Sequence, residues 1–286
     1  MKHLDPSLDW EVTELPVFDQ SGKPINGYKR LINSESQQTL SVCKESYTPT
    51  KNERLLEVVH TLCNGMGFSV EGFASFKGGK RVLAYLKNPE PSTMIGLDTQ
   101  DYMIVGNAHD GSSSFFTGMT NYIYRCENMF SSTQRSWRVY HTKSHDHRID
   151  EVIQYHDMYY NERTGFYEMM ESFAGVSVNN RTQNNFVSSV LKLEEDKELS
   201  KRMTNIRDSL VSCIALETRE LGNSAFGLFN GLTRYTSREL QSKNPIFGNP
   251  FGHANTLNKR GLEFCKDLAK KEGKNSIKVL PRHQYF

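Results

Sequence analysis

The segment His109-Asp110-Gly111-Ser112-Ser113-Ser114 gathers the residue types most suggestive of chemistry. Small residues around a glycine can turn several backbone N–H groups and hydroxyls toward one point, and that concavity suits a phosphate. The same residues also make an ordinary strand connection, with Asp110 and Ser112 bonding their own backbone and Gly111 supplying the turn. A hydrolase nucleophile would need a strained G-x-S-x-G elbow or a placed base, and the segment offers neither. Downstream, His141, His145 and His147 share one face if the chain is extended there, with Asp146 between the last pair. Three histidines and a carboxylate form a zinc ligand set. No second His or Cys cluster stands at a familiar spacing, so the stretch reads as a solvated polar loop, with no metal and no cofactor called for.

Cations form the third constellation. Residues 125 to 148 carry Arg125, Arg135, Arg138, Lys143 and Arg148 against only Glu127 and Asp146. Lys77, Lys80 and Arg81 surround a Gly78-Gly79 pair. Side by side, these groups would make an electropositive strip able to follow a phosphate backbone through counterion release. Tyr122, Tyr124, Trp137 and Tyr140 are interleaved with them as possible stacking faces for unpaired bases, although alternate aromatics also simply fill a core. The candidate nucleic-acid contacts are therefore Lys77, Lys80, Arg81, His109, Ser112, Ser113, Arg125, Arg138, Lys143 and Arg148; no catalytic residue is assigned.

These residues need elements to hold them. Residues 1–20 read as an extended arm, with Pro6 and Pro16 against helix. Two β-prone runs, 28–32 and 39–42, flank a polar turn and predict a hairpin. Asn52 is placed to cap the amphipathic helix ERLLEVVHTLCNGMG, whose Leu55, Leu56, Val59 and Leu62 repeat at helical spacing before Gly65 and Gly67. FSVEGFASFKGGKRVLAYLKNP predicts a second hairpin turning at Gly78-Gly79. A third strand pair flanks the HDGSSS loop. From 149 to about 160 and from 185 to 221 the pattern is helical, and the charged run Glu194 to Arg202 reads as a helix's outer face. GNSAFGLFNGLTRYTSREL predicts a glycine-punctuated helix and HANTLNKRGLEFCKDLAKKEG a last amphipathic one. Tyr159, Tyr160, Phe166, Tyr167, Met169 and Met170 cluster around Gly165, as core or as a protomer interface.

The fold class expected is α+β: a hairpin-rich N-terminal half forming a curved antiparallel sheet with a packed helix, then a mainly helical half. The boundaries expected are 1–20, 21–148 and 149–286. Composition agrees with a folded globule, at 37% hydrophobic, 24% charged and 11% aromatic. Net charge is only +2, which by itself identifies no partner. Five scattered cysteines without a C-x-x-C pair fit reduced thiols. The start has no apolar core after its lysine and no stretch is long enough for a membrane span, so a cytoplasmic chain without a membrane partner is expected.

LSVCKESYTPTKNERLLEVV, FKGGKRVLAYLKNP, YMIVGNAHDGSSSFFTGMTNYIYRCENMF, WRVYHTKSHDHRIDEV, NSAFGLFNGLTRYTSREL and GHANTLNKRGLEF together resemble the phage- and plasmid-like proteins grouped as a domain of unknown function, family nine-thirty-two. The resemblance covers roughly residues 38 to 270 and implies residence on phages, prophages or plasmids, with no settled activity. The order of hairpin, helix, hairpin and strands also resembles, in topology only, single-strand annealing proteins of the Rad-fifty-two type. The function expected is a homo-oligomer that binds nucleic acid, preferentially single-stranded DNA, in annealing or recombination. Two other classes stay open: a non-catalytic protein that engages a host factor, and a metal-dependent enzyme on a nucleotide or phosphate ester.

Overall fold

The computed structural model describes residues 8–123, 128–130, 137–142, 145–151, 156–194, 198–240 and 252–273. The fold is α+β. The chain divides into two compact units, one of Met1–Glu90, Asp101–Met119 and Gln134–Tyr160, the other of Pro91–Gln100, Thr120–Thr133 and Asn161–Phe286.

The first unit contains an antiparallel sheet of β1 (Val12–Phe18), β2 (Pro24–Asn33) and β3 (Thr39–Lys44), in that order. One face turns inward: Leu31 is fully buried, and Ser41, paired with it across β2 and β3, reaches a backbone carbonyl beyond the sheet. The opposite face carries the directly paired row Leu15, Arg30 and Val42 and the pair Tyr28 and Lys44. This period-two alternation is what a sheet with one solvated face requires. After it comes α1 (Asn52–Met66), stopped by Gly67 at φ 71° and burying Leu55, Val58, Val59 and Leu62. The N-cap is Lys51, whose side chain makes no capping bond, and Asn52 is already helical; its amide is spent elsewhere.

Strands β4 (Ser69–Phe76) and β5 (Arg81–Lys87) form the hairpin predicted around Gly78-Gly79. Three consecutive residues there, Lys77, Gly78 and Gly79, have φ of 53°, 69° and 94°. The Gly79 position also has no room for a side chain, since a Cβ would stand 2.6 Å from the Trp10 ring. Strands β6 (Ser92–Met94), β7 (Leu97–Ala108), β8 (Phe115–Ile123), β9 (Asn128–Phe130) and β10 (Trp137–Val139) complete a second sheet. Its order is β10-β8-β7-β5-β4, with β6 on β7 and β9 on β8; β7 and β8 contribute residues to both units. The central five residues of β5 and nearly all of β7 and β8 are buried. Continuous burial rather than alternation means that both faces of these strands are covered. Cations must then stand at the sheet's turns and edges instead of on an open face.

The remaining helices are α2 (His145–Asp150), α3 (His156–Ala174), α4 (Asn180–Leu191), α5 (Lys201–Leu221), α6 (Ala225–Arg234) and α7 (His253–Lys271). Two expectations are corrected here. Of the charged run Glu194 to Arg202, the described residues Glu194 and Glu198 to Ser200 lie outside any helix: Lys192 ends α4 in the left-handed region at φ 56°, and Ser200 starts α5 by accepting from the Met203 N–H at 3.3 Å. His145 and His147 lie on α2 rather than on a strand, so their period-two alignment with His141 does not exist.

In the second unit α5 and α6 approach closely because Gly231 has no side chain: a Cβ there would lie 2.5 Å from the Ile214 Cα. Gly165, in α3, meets nothing within 4 Å. Gly231→Ala is expected to cost about 1–3 kcal/mol by forcing the helices apart, while Gly165→Ala gains up to about 1 kcal/mol from helix propensity. Thermal denaturation of the two variants should show Tm moving in opposite directions.

Candidate functional site

The HDGSSS loop joins β7 to β8 and is tied to the β4–β5 turn. The His109 N–H donates to the Lys80 carbonyl at 2.8 Å, extending the ladder by one residue. Gly111 takes φ +71° and the Ser112 N–H donates to Asp110 Oδ1 at 3.0 Å, closing an Asx turn. Arg81 completes the loop, donating from Nε to Ser112 Oγ at 2.9 Å and standing 3.4 Å from Asp110 Oδ2. Burial works to raise the Asp110 pKa, but the Ser112 hydrogen bonds and the Arg81 guanidinium outweigh it and hold the carboxyl below its ordinary value. The single carboxylate of the loop is therefore an anion already neutralised from within.

Beneath the loop lies a hub that connects distant parts of the chain. His109 is fully buried, and its Nε2 stands 3.0 Å from Asn52 Oδ1. The Asn52 amide nitrogen faces two groups that only accept, the Trp10 carbonyl at 3.0 Å and the Leu8 carbonyl at 3.4 Å. Its oxygen must then accept, which places the imidazole proton on Nε2. The Trp10 ring meets His109 edge-on, with centroids 5.5 Å apart. Ser41 Oγ donates to the His109 carbonyl at 2.8 Å. Asn107 Nδ2 donates to the Thr50 carbonyl at 2.9 Å, and Thr50 Oγ1 bonds His141 Nδ1 at 3.0 Å. Burial first, then the nearby His141, pushes the His109 pKa down to about 3 from 6.5, only partly opposed by Asp110. The ring is neutral and is a structural post rather than a proton donor.

Several expected contact residues meet here and several do not. Lys77 is exposed and Lys80 half-buried at the turn; Arg81 bridges turn and loop; Ser112 is exposed. His109 and Ser113 are interior, Ser113 Oγ donating to the Ser114 carbonyl at 3.1 Å, so they shape the loop without facing solvent. Arg138 is exposed on β10, paired with Phe116, and three strands from β5, roughly 14 Å at ordinary strand spacing. Arg138 is therefore not beside the cations of the turn. Arg148 is half-buried on α2. Arg125 and Lys143 lie outside the described residues, as do Tyr124 and Arg135. Tyr140 is 61% exposed, whereas Tyr122 is half-buried in the other unit.

Sequence reading missed Trp10 and Asn52, whose partners are 42 to 57 residues away; only the incongruity of a tryptophan in a polar arm hinted at them. It also missed the outward face of the small sheet, where Tyr28, Arg30 and Lys44 are exposed; the alternation in GYKRLIN was its signal. Among the described residues no three His, Cys, Asp or Glu side chains gather as a metal site, and no helix is long and apolar enough to cross a membrane.

The description of one family model, "Domain of unknown function (DUF932)", matches residues 39–273. Neither a curated protein nor a solved structure matches the chain, so the topological likeness to single-strand annealing proteins finds no support there.

Two expectations concern the hub. Asn52→Ala removes the acceptor of the buried His109 Nε2 proton and the amide donor to the Trp10 carbonyl, and is expected to cost about 2–4 kcal/mol in urea denaturation. Because the unfolded imidazole titrates at 6.5 and the folded one at about 3, the unfolded chain binds one more proton in that window. Stability contributed by His109 is complete above 6.5 and falls with acidification at about 1.4 kcal/mol per pH unit. His109→Gln should remove that component of the slope between pH 6.5 and 4; an unchanged slope would contradict a buried neutral imidazole.

Proposed function

We propose, from the premise that the chain belongs to the DUF932 family and so takes no assigned activity from it, that the protein binds nucleic acid through its first unit, with single strands preferred over duplex. One observation supports this reading above the others. Lys77, Lys80, Arg138 and Arg148 form no ion pair among the described residues. Acids beside them in the fold or the chain are engaged: Asp110, in the loop tied to the turn, by Arg81, and Asp146 and Asp150, which flank Arg148 in sequence, by Arg54. Where the loop carboxylate is neutralised by Arg81 and the neighbouring Lys77 and Lys80 are not paired, the turn carries local positive potential, even on a chain of net charge +2. Polyanions are the partners that such a surface selects, and releasing their condensed counterions supplies the affinity.

Preference for a single strand rests on exposed aromatic surface in the same unit. Tyr140 adjoins Arg138 by two residues, and Tyr28 is 49% exposed opposite Lys44 on the small sheet. Base stacking on such rings tolerates any sequence and requires unpaired bases. Buried central strands offer no groove-reading helix or ribbon, so sequence-specific duplex readout is not part of the proposal. Annealing of complementary strands, self-association and a role in recombination on mobile genetic elements are consistent extensions of the same reading.

Fluorescence polarisation of a labelled oligothymidylate should show binding in the micromolar range at about 50 mM salt, with a log–log salt slope near −3 if four phosphates are neutralised. Lys77→Glu with Lys80→Glu should weaken it at least about tenfold and flatten the slope. Absence of binding at low salt, or equal affinity in the double variant, would overturn the proposal.

A further inference from the structure

The small sheet has two faces with different employment. Leu31 and Ser41 mark the inward one, where the Ser41 hydroxyl meets the His109 carbonyl, so the HDGSSS loop lies on that side. Tyr28, Arg30, Val42 and Lys44 stand on the other side. All four are exposed, Tyr28 by 49% and Val42 by 56%. Register fixes their arrangement: Lys44 is directly opposite Tyr28, and Arg30, directly opposite Val42, lies about 7 Å from Tyr28 along β2 on the same face. A groove of about 400 Å³, lined by Leu15, Pro16, Val17, Phe18 and Arg30, extends this surface across β1.

The charge of the outward face is one-sided. Arg30 and Lys44 form no ion pair among the described residues. Glu14, the carboxylate of β1, pairs directly with Leu31 and so belongs to the inward face, where it accepts from Lys29 Nζ at 2.7 Å. An exposed ring and aliphatic side chains between two unpaired cations select a partner that is anionic and carries flat apolar groups. A second copy joined through the same face would set Arg30 and Lys44 against like charges. Strand addition at β1 is disfavoured as well. The Ser34 N–H donates to the Glu11 carbonyl, which turns residues 11, 13 and 15 toward β2 and leaves Pro16 where an outward N–H would be needed.

We infer that the outward face binds a single-stranded nucleic acid, with a base stacked on the Tyr28 ring, phosphates on Lys44 and Arg30, and the neighbouring base or sugar over Val42 and the β1 groove. The inference rests on the nucleic-acid reading and adds a second contact surface to it. This face and the HDGSSS loop lie on opposite sides of the small sheet, so no straight segment of strand covers both, and the chain holds two segments at once. With two cations against the four assigned above, this surface is the weaker of the two.

Titration of the full chain with a labelled oligothymidylate of about six nucleotides, near the lower end of single-strand site sizes, tests it. Wild type should bind at low salt in a tight and a weak phase. Tyr28→Ala with Arg30→Glu and Lys44→Glu, all on exposed positions that should leave Tm unchanged, should abolish the weak phase and keep the tight one. Lys77→Glu with Lys80→Glu should leave the weak phase as the main one. In that background Tyr28→Ala should weaken binding about five- to hundredfold, and Tyr28→Phe by less than about twofold. A weak phase unchanged in the triple variant would overturn the inference while leaving the nucleic-acid reading standing, and no binding by wild type would overturn both. Competition by a polyglutamate peptide as strong as by unlabelled oligothymidylate would reassign the face to an acidic protein segment.

Discussion

The side-chain amide of Asn52 is the constraint around which the first unit is arranged. Its oxygen receives the His109 proton and its nitrogen reaches back to the Trp10 and Leu8 carbonyls, so one residue joins the N-terminal segment, α1 and the β7–β8 loop. In a medium of low dielectric such bonds are strong when complete and costly when broken. That asymmetry gives the loop a defined shape. With His109 fixed from below, Gly79 must stay without a side chain because Trp10 occupies the space above it, and the Lys77 to Arg81 turn is held against the loop. Arg81 can then reach both Asp110 and Ser112.

From this geometry follows the charge logic of the surface. The hub ties Asn52, His109, Ser41, Asn107 and Thr50 to one another and to backbone carbonyls, and Arg81 spends itself on the one loop carboxylate. Arg54 on α1 does the same for α2, pairing with Asp146 and Asp150 as well as with its own neighbour Glu57. At the β4–β5 turn, what remains for solvent is the pair Lys77 and Lys80. The second unit follows a different principle: glycines at 227, 231 and 261 bring helices into close approach.

Local signals carried much of this architecture, and long-range ones carried almost none. Gly78-Gly79 announced its turn because only positive φ closes it, and the Leu55, Val59 and Leu62 spacing announced α1 because a helix buries one stripe. The Asx turn at Asp110 was equally visible, since its bonds are made within three residues. Asn52 looked like a cap because the side chain that caps a helix is also the one that can bridge to a strand 57 residues away, and sequence does not distinguish the two. The charged run after Leu193 imitated a solvated helix face; the left-handed Lys192 ends one helix and the Ser200 cap begins another, and residue type announced neither, since lysine rarely takes a positive φ and serine is common outside caps. The candidate cations were legible by type, but the separation of Arg138 from the turn by three strands was not, because strand order is not written in local pattern.

Hydrogen–deuterium exchange of the free protein against its complex with a single-stranded oligothymidylate tests the central claim most directly, because it locates the contact without altering the chain. The account predicts slowed exchange in peptides covering residues 76–81 and 109–114, at the turn and the loop that the Asn52 hub holds together, with a further effect around 137–142. Protection confined to the second unit, or none under conditions where the oligonucleotide is saturating, would contradict it.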